Sequence, residues 1–237
     1  MIIVFPRTAL ALAGSLAVAL SGGCAAEMSA LPGGTFEMGS LRGEAVTVAG
    51  FRMDVTEVTV DAYRACVSRG ACTPAAADYG CNWTDAGRGS HPINCVDSTQ
   101  ATAYCRVVGK RLPTEAEWEW AARGGEAGTT YPWGNDDPTS RACWDGDGRD
   151  PFDPPTRKRT CAVGAFAQDR SPQGIRDLAG NAWEWTSSSW NAGGSHRVVR
   201  GGSYHDVLPV DLRAAARRGV ASSSQYNVLG FRCVADR

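Results

Sequence analysis

The chain has 237 residues, with 24 Lys+Arg against 25 Asp+Glu and a formal net charge of −1. That length suits one large domain or two small ones, and the near-zero charge gives a nucleic-acid partner no electrostatic support. A hydrophobic content of 43% with 21% charged residues excludes wholesale disorder. The nine cysteines are the unusual feature, because an odd number leaves one cysteine without a partner.

The N-terminus reads as an export signal. The uncharged run Ala9–Leu20 follows Arg7 and is typical of the apolar core of a signal peptide. It is too short for a membrane-spanning helix, which needs roughly 20 apolar residues. The run ends in Ser21–Cys24, which resembles a bacterial lipobox with serine at the usual leucine position. We therefore predict a signal peptide over residues 1–23 and lipidation of Cys24.

This reading places the protein in the bacterial cell envelope as a lipoprotein, with residues 24–30 as a short tether. Contact with the membrane is then expected through the lipid alone. The alternative is ordinary secretion after cleavage near Ala26, which leaves the protein periplasmic or secreted.

Export also accounts for the remaining cysteines, because an oxidising compartment favours disulfides. Eight remain, an even number, and four bridges are expected. A zinc site is disfavoured because the sequence has no Cys-x-x-Cys, and the three histidines lack the spacing of ligands on a helix. The eight are Cys66, Cys72, Cys81, Cys95, Cys105, Cys143, Cys161 and Cys233.

Regular structure is sparse in the predicted fold. Three helices are expected: one after Thr59 that ends at Gly70, one from Asp97 or Ser98 to Gly109, and one over Glu115–Arg123 behind a Thr114–Glu117 capping box. Alternating patterns predict short strands at Thr35–Gly39, Val46–Met53, Val198–Gly202 and Gly230–Val234. Gly, Pro, Asp and Ser dominate residues 132–172. The sequence therefore predicts one α+β domain over residues 31–237, rich in irregular structure that disulfides or bound cations hold in place.

A set of motifs runs in order through nearly all of this domain. The longest are Gly109–Glu119 (GKRLPTEAEWE) and Ala179–Trp185 (AGNAWEW), with Arg200–Tyr204 (RGGSY) and Leu229–Arg232 (LGFR) after them. Together they resemble the sulfatase-modifying factor family, whose founding activity is the formylglycine-generating enzyme. The resemblance implies an elaborated C-type-lectin-like fold that is low in regular structure and stapled by disulfides.

The chemistry of that family does not transfer with the fold. The resemblance implies copper held by two cysteines just after the Gly-Gly-Ser-Tyr segment, since soft Cu(I) requires thiolates. On an ungapped comparison, Asp206 and Asp211 stand at those two positions. No cysteine lies between Cys161 and Cys233, so no local placement of gaps supplies the pair. Copper and oxidation of sulfatases are therefore not expected, and no catalytic residue is assigned.

The altered segment is still a candidate cleft, comprising Ser203, Tyr204, His205, Asp206 and Asp211. Ser203 and Tyr204 are expected to line it. His205 and the two aspartates have the composition of a His-carboxylate metal set, whereas the alternative is a solvated polar loop. Arg213 and Arg217, four residues apart, are candidates to pair with carboxylates or to bind an anion, whereas the alternative is a surface or packing role.

Calcium is the second chemistry that the resemblance implies. Carried over by motif, the ligands are Asp177, Gly180, Ala182 and Glu184, whose carboxylates and carbonyls are the hard oxygen ligands that Ca²⁺ prefers. The alternative is that Glu184 forms a salt bridge in the core. A second family site has counterparts in the carbonyls of Cys143 and Phe152 and the carboxylate of Asp150, but Ala142 replaces its usual asparagine.

The resemblance also pairs Cys105 with Cys233. The founding enzyme's other bridge has no counterpart, because Ala122 and Ala214 replace both of its cysteines. We predict that the other six pair locally, as Cys66–Cys72, Cys81–Cys95 and Cys143–Cys161, although eight cysteines allow many connectivities.

Tryptophans outside the family motifs are the candidates for ligand contact, namely Trp83, Trp144 and Trp190. Those within the motifs are expected in the core.

Two functions follow from the sequence. The first is a monomeric, lipid-anchored binding or scaffolding module that contacts a protein or glycan of the cell envelope. The alternative is a divergent oxidoreductase that acts on protein or small-molecule thiols. The residues after Tyr204, where the cysteine pair is missing, are the ones that bear on the choice between these two functions.

Overall fold

Short strands and three short α-helices form the framework of the described residues. The structure is a computed structural model that describes residues 26–39, 43–146 and 157–237. The strands are β1 (Met28–Leu31), β2 (Gly34–Met38), β3 (Glu44–Val48), β4 (Phe51–Asp54), β5 (Trp183–Ser189), β6 (His196–Arg200), β7 (Arg217–Ala221), β8 (Leu229–Gly230) and β9 (Val234–Asp236). The helices are α1 (Val60–Ser68), α2 (Ser98–Val107) and α3 (Glu115–Ala122).

The strands form three small sheets. In the first, β4 lies between β1 and β9, antiparallel to both. The second is the β2–β3 hairpin. The third has the order β7-β6-β5-β8, in which only the β5–β8 pair is parallel. The third sheet thus contains the end of the Ala179–Trp185 motif in β5 and the first residue of the Arg200–Tyr204 motif in β6.

All three helices begin where the sequence places caps. The Thr59 hydroxyl accepts from the backbone N–H of Ala62 at 3.2 Å at the start of α1. Asp97 caps α2 with a capping box completed by Gln100, and Thr114 caps α3 with Glu117 in the same role. The helical predictions are confirmed, because capping is a local interaction that needs no tertiary contact.

Two strand predictions and one boundary are wrong. The expected strand Val46–Met53 is two strands, because the chain leaves the β2–β3 hairpin at residues 49–50 and joins a different sheet. Gly230–Val234 likewise divides between β8 and β9. The expected tether over residues 24–30 includes part of β1, which pairs with β4 from Met28 onward. In each case the strand boundary is set by pairing with a strand that is distant in the chain. The sequence of one strand does not specify its pairing partner.

The core has two main parts. One packs α1 and α2 against β5 and contains Tyr63, Tyr104 and Trp185. The other packs α3 against the first two sheets and contains Trp118, Trp120, Ala122 and Ala214. Here the two alanines that replace the family's missing bridge lie buried in one cluster.

The eight cysteines of the described residues form four disulfides, with Cα–Cα distances of 5.4–6.1 Å. These lie within the usual range of roughly 4.4–6.8 Å. The bridges are Cys66–Cys72, Cys81–Cys95, Cys105–Cys233 and Cys143–Cys161, the pairings expected from the sequence. Within the described part of the chain, no helix has the length and apolar character to cross a membrane. The predicted signal peptide and Cys24 lie outside the described residues.

Candidate functional site

The candidate cleft begins at a glycine turn after β6. Gly201 and Gly202 have φ values of 102° and 80°, a region that favours glycine. A Cβ on Gly202 would lie 2.9 Å from the backbone oxygen of Asp211, so the turn also needs the missing side chain. The next residue but one, Tyr204, donates its N–H to Asn181 at 2.9 Å and ties the cleft to the Ala179–Trp185 motif.

Asp206 is the centre of the cleft. Its Oδ2 accepts hydrogen bonds from the Ser203 backbone N–H and hydroxyl, both at 2.8 Å, and from the Trp183 indole N–H at 2.9 Å. Its Oδ1 accepts from an Arg218 Nη2 at 3.0 Å. Each carboxylate oxygen therefore has a partner in the fold.

Arg218 on β7 links the two aspartates. Its Nη2 also donates to Asp211 Oδ1 at 2.8 Å, and its guanidinium lies 4.5 Å from the centroid of the Trp183 ring. Partial burial lowers the pKa of Arg218, but the two carboxylates raise it more, so the net direction is upward. We call Asp206, Asp211, Arg218 and Trp183 the cleft network.

The cleft network shows where the polar residues of this segment lie. Asp206 and Asp211 both pair with the Arg218 guanidinium. Ser203 and Tyr204 are buried and His205 is exposed, with its ring 6.0 Å from that of Tyr204. Within the described residues, no three or more His, Cys, Asp or Glu side chains are arranged to hold a metal ion.

Sequence reasoning missed Arg218. It considered Arg213 and Arg217 instead, and Arg217 does pair with a carboxylate, Glu115 Oε1 at 2.7 Å. The position of Arg218 follows from the β6–β7 register, in which it lies opposite Val199. A pairing register between strands separated by a long loop leaves no local signal.

The predicted calcium ligands are buried in β5 and in the segment before it. Both oxygens of Glu184 are engaged, one by Arg232 Nη2 at 2.7 Å and the other by the Trp118 indole N–H at 2.8 Å. Arg232 is fully buried and also donates to the backbone oxygens of Asp54, Val55 and Asp177. This is the salt-bridged alternative for Glu184.

In this arrangement the Arg232 guanidinium balances the charge of Glu184. Asp177 has its Oδ2 bound by the Gly164 N–H at 2.6 Å, and burial raises its pKa to about 6. Gly180 and Ala182 are buried in the segment before β5. Calcium stays a prediction, which metal analysis with and without a chelator tests.

Two members of the second predicted calcium set, Asp150 and Phe152, lie outside the described residues. The third member, Cys143, has its carbonyl occupied by the Asn181 N–H at 2.8 Å. That hydrogen bond joins the Cys143–Cys161 bridge to the Ala179–Trp185 motif.

The loop tryptophans Trp144 and Trp190 differ in exposure. Trp144 is buried in a cluster with Tyr131 and Leu212, so the expectation that it contacts a ligand is wrong; packing of its loop against the cleft segment covers it. Trp190 is exposed, and the Arg217 guanidinium lies 4.7 Å from the centroid of its ring.

Comparison with known proteins decides the family. The Sulfatase-modifying factor enzyme 1-like domain matches residues 20–237. This chain belongs to that family.

Within the sulfatase-modifying factor family, relatives with different names are about equally similar. The formylglycine-generating enzyme of Bos taurus is 38% identical over 175 residues, which cover 63% of this chain and 45% of that protein. The protein named inactive C-alpha-formylglycine-generating enzyme 2 of Bos taurus is 40% identical over 157 residues, which cover 60% and 49% respectively. The chain thus spans about half the length of these relatives.

The fold agrees with solved structures as well. PvdO from Pseudomonas aeruginosa superposes with a TM-score of 0.70 at 23% identity, covering 90% of this chain and 95% of that one. The formylglycine-generating-enzyme fold expected from the sequence is confirmed. The two aspartates of the cleft network lie in the segment where the family resemblance implies two cysteines.

Proposed function

We propose that this chain is an exported, lipid-anchored member of the family that lacks oxidase activity and serves as a binding module. The observation that carries the proposal is the pairing of Asp206 and Asp211 with Arg218. A carboxylate pair held by a guanidinium offers no thiolate for copper and no nucleophile. The name of the inactive relative supports the idea that such members occur in the family.

Export is supported by the disulfides, since four bridges in one domain are typical of an oxidising compartment. The lipid anchor is supported by the Ser21–Cys24 sequence alone. Mass spectrometry of the mature N-terminus tests it: we expect a lipidated Cys24, and an unmodified start beyond that residue would reject the anchor.

The surface beside the cleft network supports a binding role. Leu208 and Val210 precede Asp211 and are 43% and 49% exposed, and the Asp211 carboxylate pairs with Arg218. Exposed apolar side chains on a rigid support are a common basis for recognition. A protein or glycan of the envelope is the class of partner that this location offers.

The oxidase question has a direct test. The chain is co-expressed with a sulfatase, and formylglycine in the sulfatase peptide is measured by mass spectrometry. The formylglycine-generating enzyme of Streptomyces coelicolor, 39% identical to this chain over 170 residues, is the positive control. We expect no product above the level in cells without either protein. Product above that level would establish the oxidoreductase alternative.

The binding role is tested by cross-linking in the native envelope, comparing the wild-type chain with a Leu208→Asp, Val210→Asp variant. We expect the variant to lose captured partners that the wild type retains. An Ala45→Asp variant, which changes an exposed alanine on β3, is the control. Equal capture by all three chains would contradict a binding surface at the cleft.

A further inference from the structure

A groove of about 820 Å³ opens beside the first residues that the structure describes. It lies between the end of β4, one side of α1 and the C-terminal end of α2, and Ala26 and Glu27 are among the residues that line it. No residue of the cleft network lines it, so the groove is a surface separate from the candidate cleft.

The chain is held against this groove immediately after the predicted lipidation site. The backbone oxygen of Glu27 accepts from the Val55 N–H at 2.8 Å, and β1 begins at the next residue. Only Ala25 separates Cys24 from Ala26. Two residues span at most roughly 7 Å, even in a fully extended chain. A lipid on Cys24 therefore brings the bilayer to the side of the molecule on which the groove opens.

The walls of the groove expose apolar side chains on a rigid support. Ala65 lines it from α1, and Val107 and Val108 line it from the end of α2. The two valines are 44% and 37% exposed. The Cys105–Cys233 disulfide ties this end of α2 to the segment before β9. Acyl chains that cover these side chains remove apolar surface from water, which is favourable.

The exposed charged side chains around the groove are close to balance. Asp61 pairs with Arg64 at 3.3 Å, and the exposed Glu27 and Arg69 carry opposite charges. A surface without a large net charge is neither strongly attracted nor strongly repelled by charged lipid headgroups. Contact with a lipid surface here therefore depends on the apolar side chains, and we expect it to be nearly independent of salt.

We propose that this groove is the membrane-facing surface of the chain, with Val107 and Val108 in contact with acyl chains of the bilayer that holds the Cys24 lipid. The proposal rests on the lipid anchor proposed above. A single acyl chain gives only marginal membrane binding, and an apolar surface beside the attachment site adds a second contact. The proposal revises the expectation that the lipid alone touches the membrane, because β1 begins where a tether was expected.

Photolabelling from the lipid phase tests this orientation. The lipidated chain, purified from bacterial membranes, is reconstituted in phosphatidylcholine vesicles that contain a phospholipid with a diazirine on its acyl chain. After illumination, the chain is reduced, digested and mapped by mass spectrometry. We expect adducts on the peptides that carry Ala65 and Val107, and none on the peptide that carries Leu208 and Val210. Adducts confined to the Cys24 peptide, or present equally on all of these peptides, would overturn the proposal.

A pair of matched variants locates the contact. Val107→Asp with Val108→Asp is expected to lower the adduct yield on the α1 and α2 peptides by about tenfold, because a charged side chain is costly in hydrocarbon. Leu208→Asp with Val210→Asp changes two exposed apolar residues beside the cleft and is expected to leave that yield unchanged. High salt is expected to leave it unchanged as well. No loss in the groove variant, or an equal loss in both variants, would contradict a contact through the groove.

The mass of the mature N-terminus separates failure of this proposal from failure of the anchor. An unmodified start beyond Cys24 rejects the anchor and the membrane-facing groove together. A lipidated Cys24 with adducts confined to peptides outside the groove rejects the groove alone and leaves the anchor in place. The adduct map of the wild-type chain decides the matter even if the Val107→Asp, Val108→Asp variant fails to fold.

Discussion

Two neighbouring residues on β5 belong to two carboxylate–guanidinium networks in opposite environments. Trp183 lies under Arg218 in the cleft network, while Glu184 faces the interior and pairs with Arg232. Successive side chains of a strand point to opposite faces, so Trp183 and Glu184 contribute one side chain to each network. Arg232 and Glu184 are 0% and 1% exposed, whereas Arg218 is 48% exposed.

The difference in exposure predicts that the two networks differ in how strongly they constrain the fold. A buried ion pair leaves a costly lone charge when one partner is lost, so Arg232 and Glu184 constrain each other. A half-exposed pair is screened by solvent and contributes little to stability. The cleft network therefore tolerates change that the interior does not, which is consistent with the retention of the fold beside an altered site.

The largest expected effect concerns the disulfides of the two regions. Replacing Cys105 and Cys233, 128 residues apart next to Arg232, is expected to cost about 5 kcal/mol in the chain-entropy model. Replacing Cys143 and Cys161, 18 residues apart on the cleft side, is expected to cost about 3 kcal/mol. Urea unfolding of the two double-serine variants measures both, and the reverse order would contradict the comparison.

Arg232→Ala is expected to lower the free energy of unfolding by about 3–5 kcal/mol, because it leaves Glu184 buried without its cation. Thermal and urea unfolding measure the loss. Arg52→Ala on β4, where the side chain is exposed, is the matched control and is expected to change stability by less than about 0.5 kcal/mol. If the two variants are equally stable, the interior pair does not constrain the fold.

Arg218→Ala is expected to cost at most about 1 kcal/mol, because the guanidinium is half exposed. High salt is expected to reduce even that difference by screening. Urea unfolding at low and high ionic strength measures the effect. A loss as large as that of Arg232→Ala would remove the distinction between the two networks.

The smallest effect is a pH dependence at the start of α3. Burial raises the pKa of Glu117, but hydrogen bonds from Arg111 and Thr114 lower it more, so the folded pKa lies below its usual value. The pair stabilises the fold above that usual value, and the stabilisation is lost as the pH falls through the lowered pKa. Glu117→Gln is expected to flatten the acid side of the stability profile. A profile identical to wild type would show no contribution.

Much of the fold is predictable from sequence where the signal is local. The caps at Thr59, Asp97 and Thr114 begin the three helices as expected, because each cap bonds to the residue three positions away. The division of Val46–Met53 is not predictable in this way, since both halves have strand character and only their partners differ.

The site follows the same rule. The absence of cysteine after Tyr204 is visible in the sequence and excludes the thiolate pair. What replaced it is not visible, because Arg218 reaches Asp206 and Asp211 only through the β6–β7 register.

The sequence by itself determined the family, the three helices and the missing thiolates, because motifs, caps and the identity of a residue are properties of the chain. Only the tertiary structure decided which charges meet: Arg232 with Glu184, and Arg218 with the two aspartates. The positions of these side chains depend on strand pairing and their energies depend on burial, both of which exist only after folding.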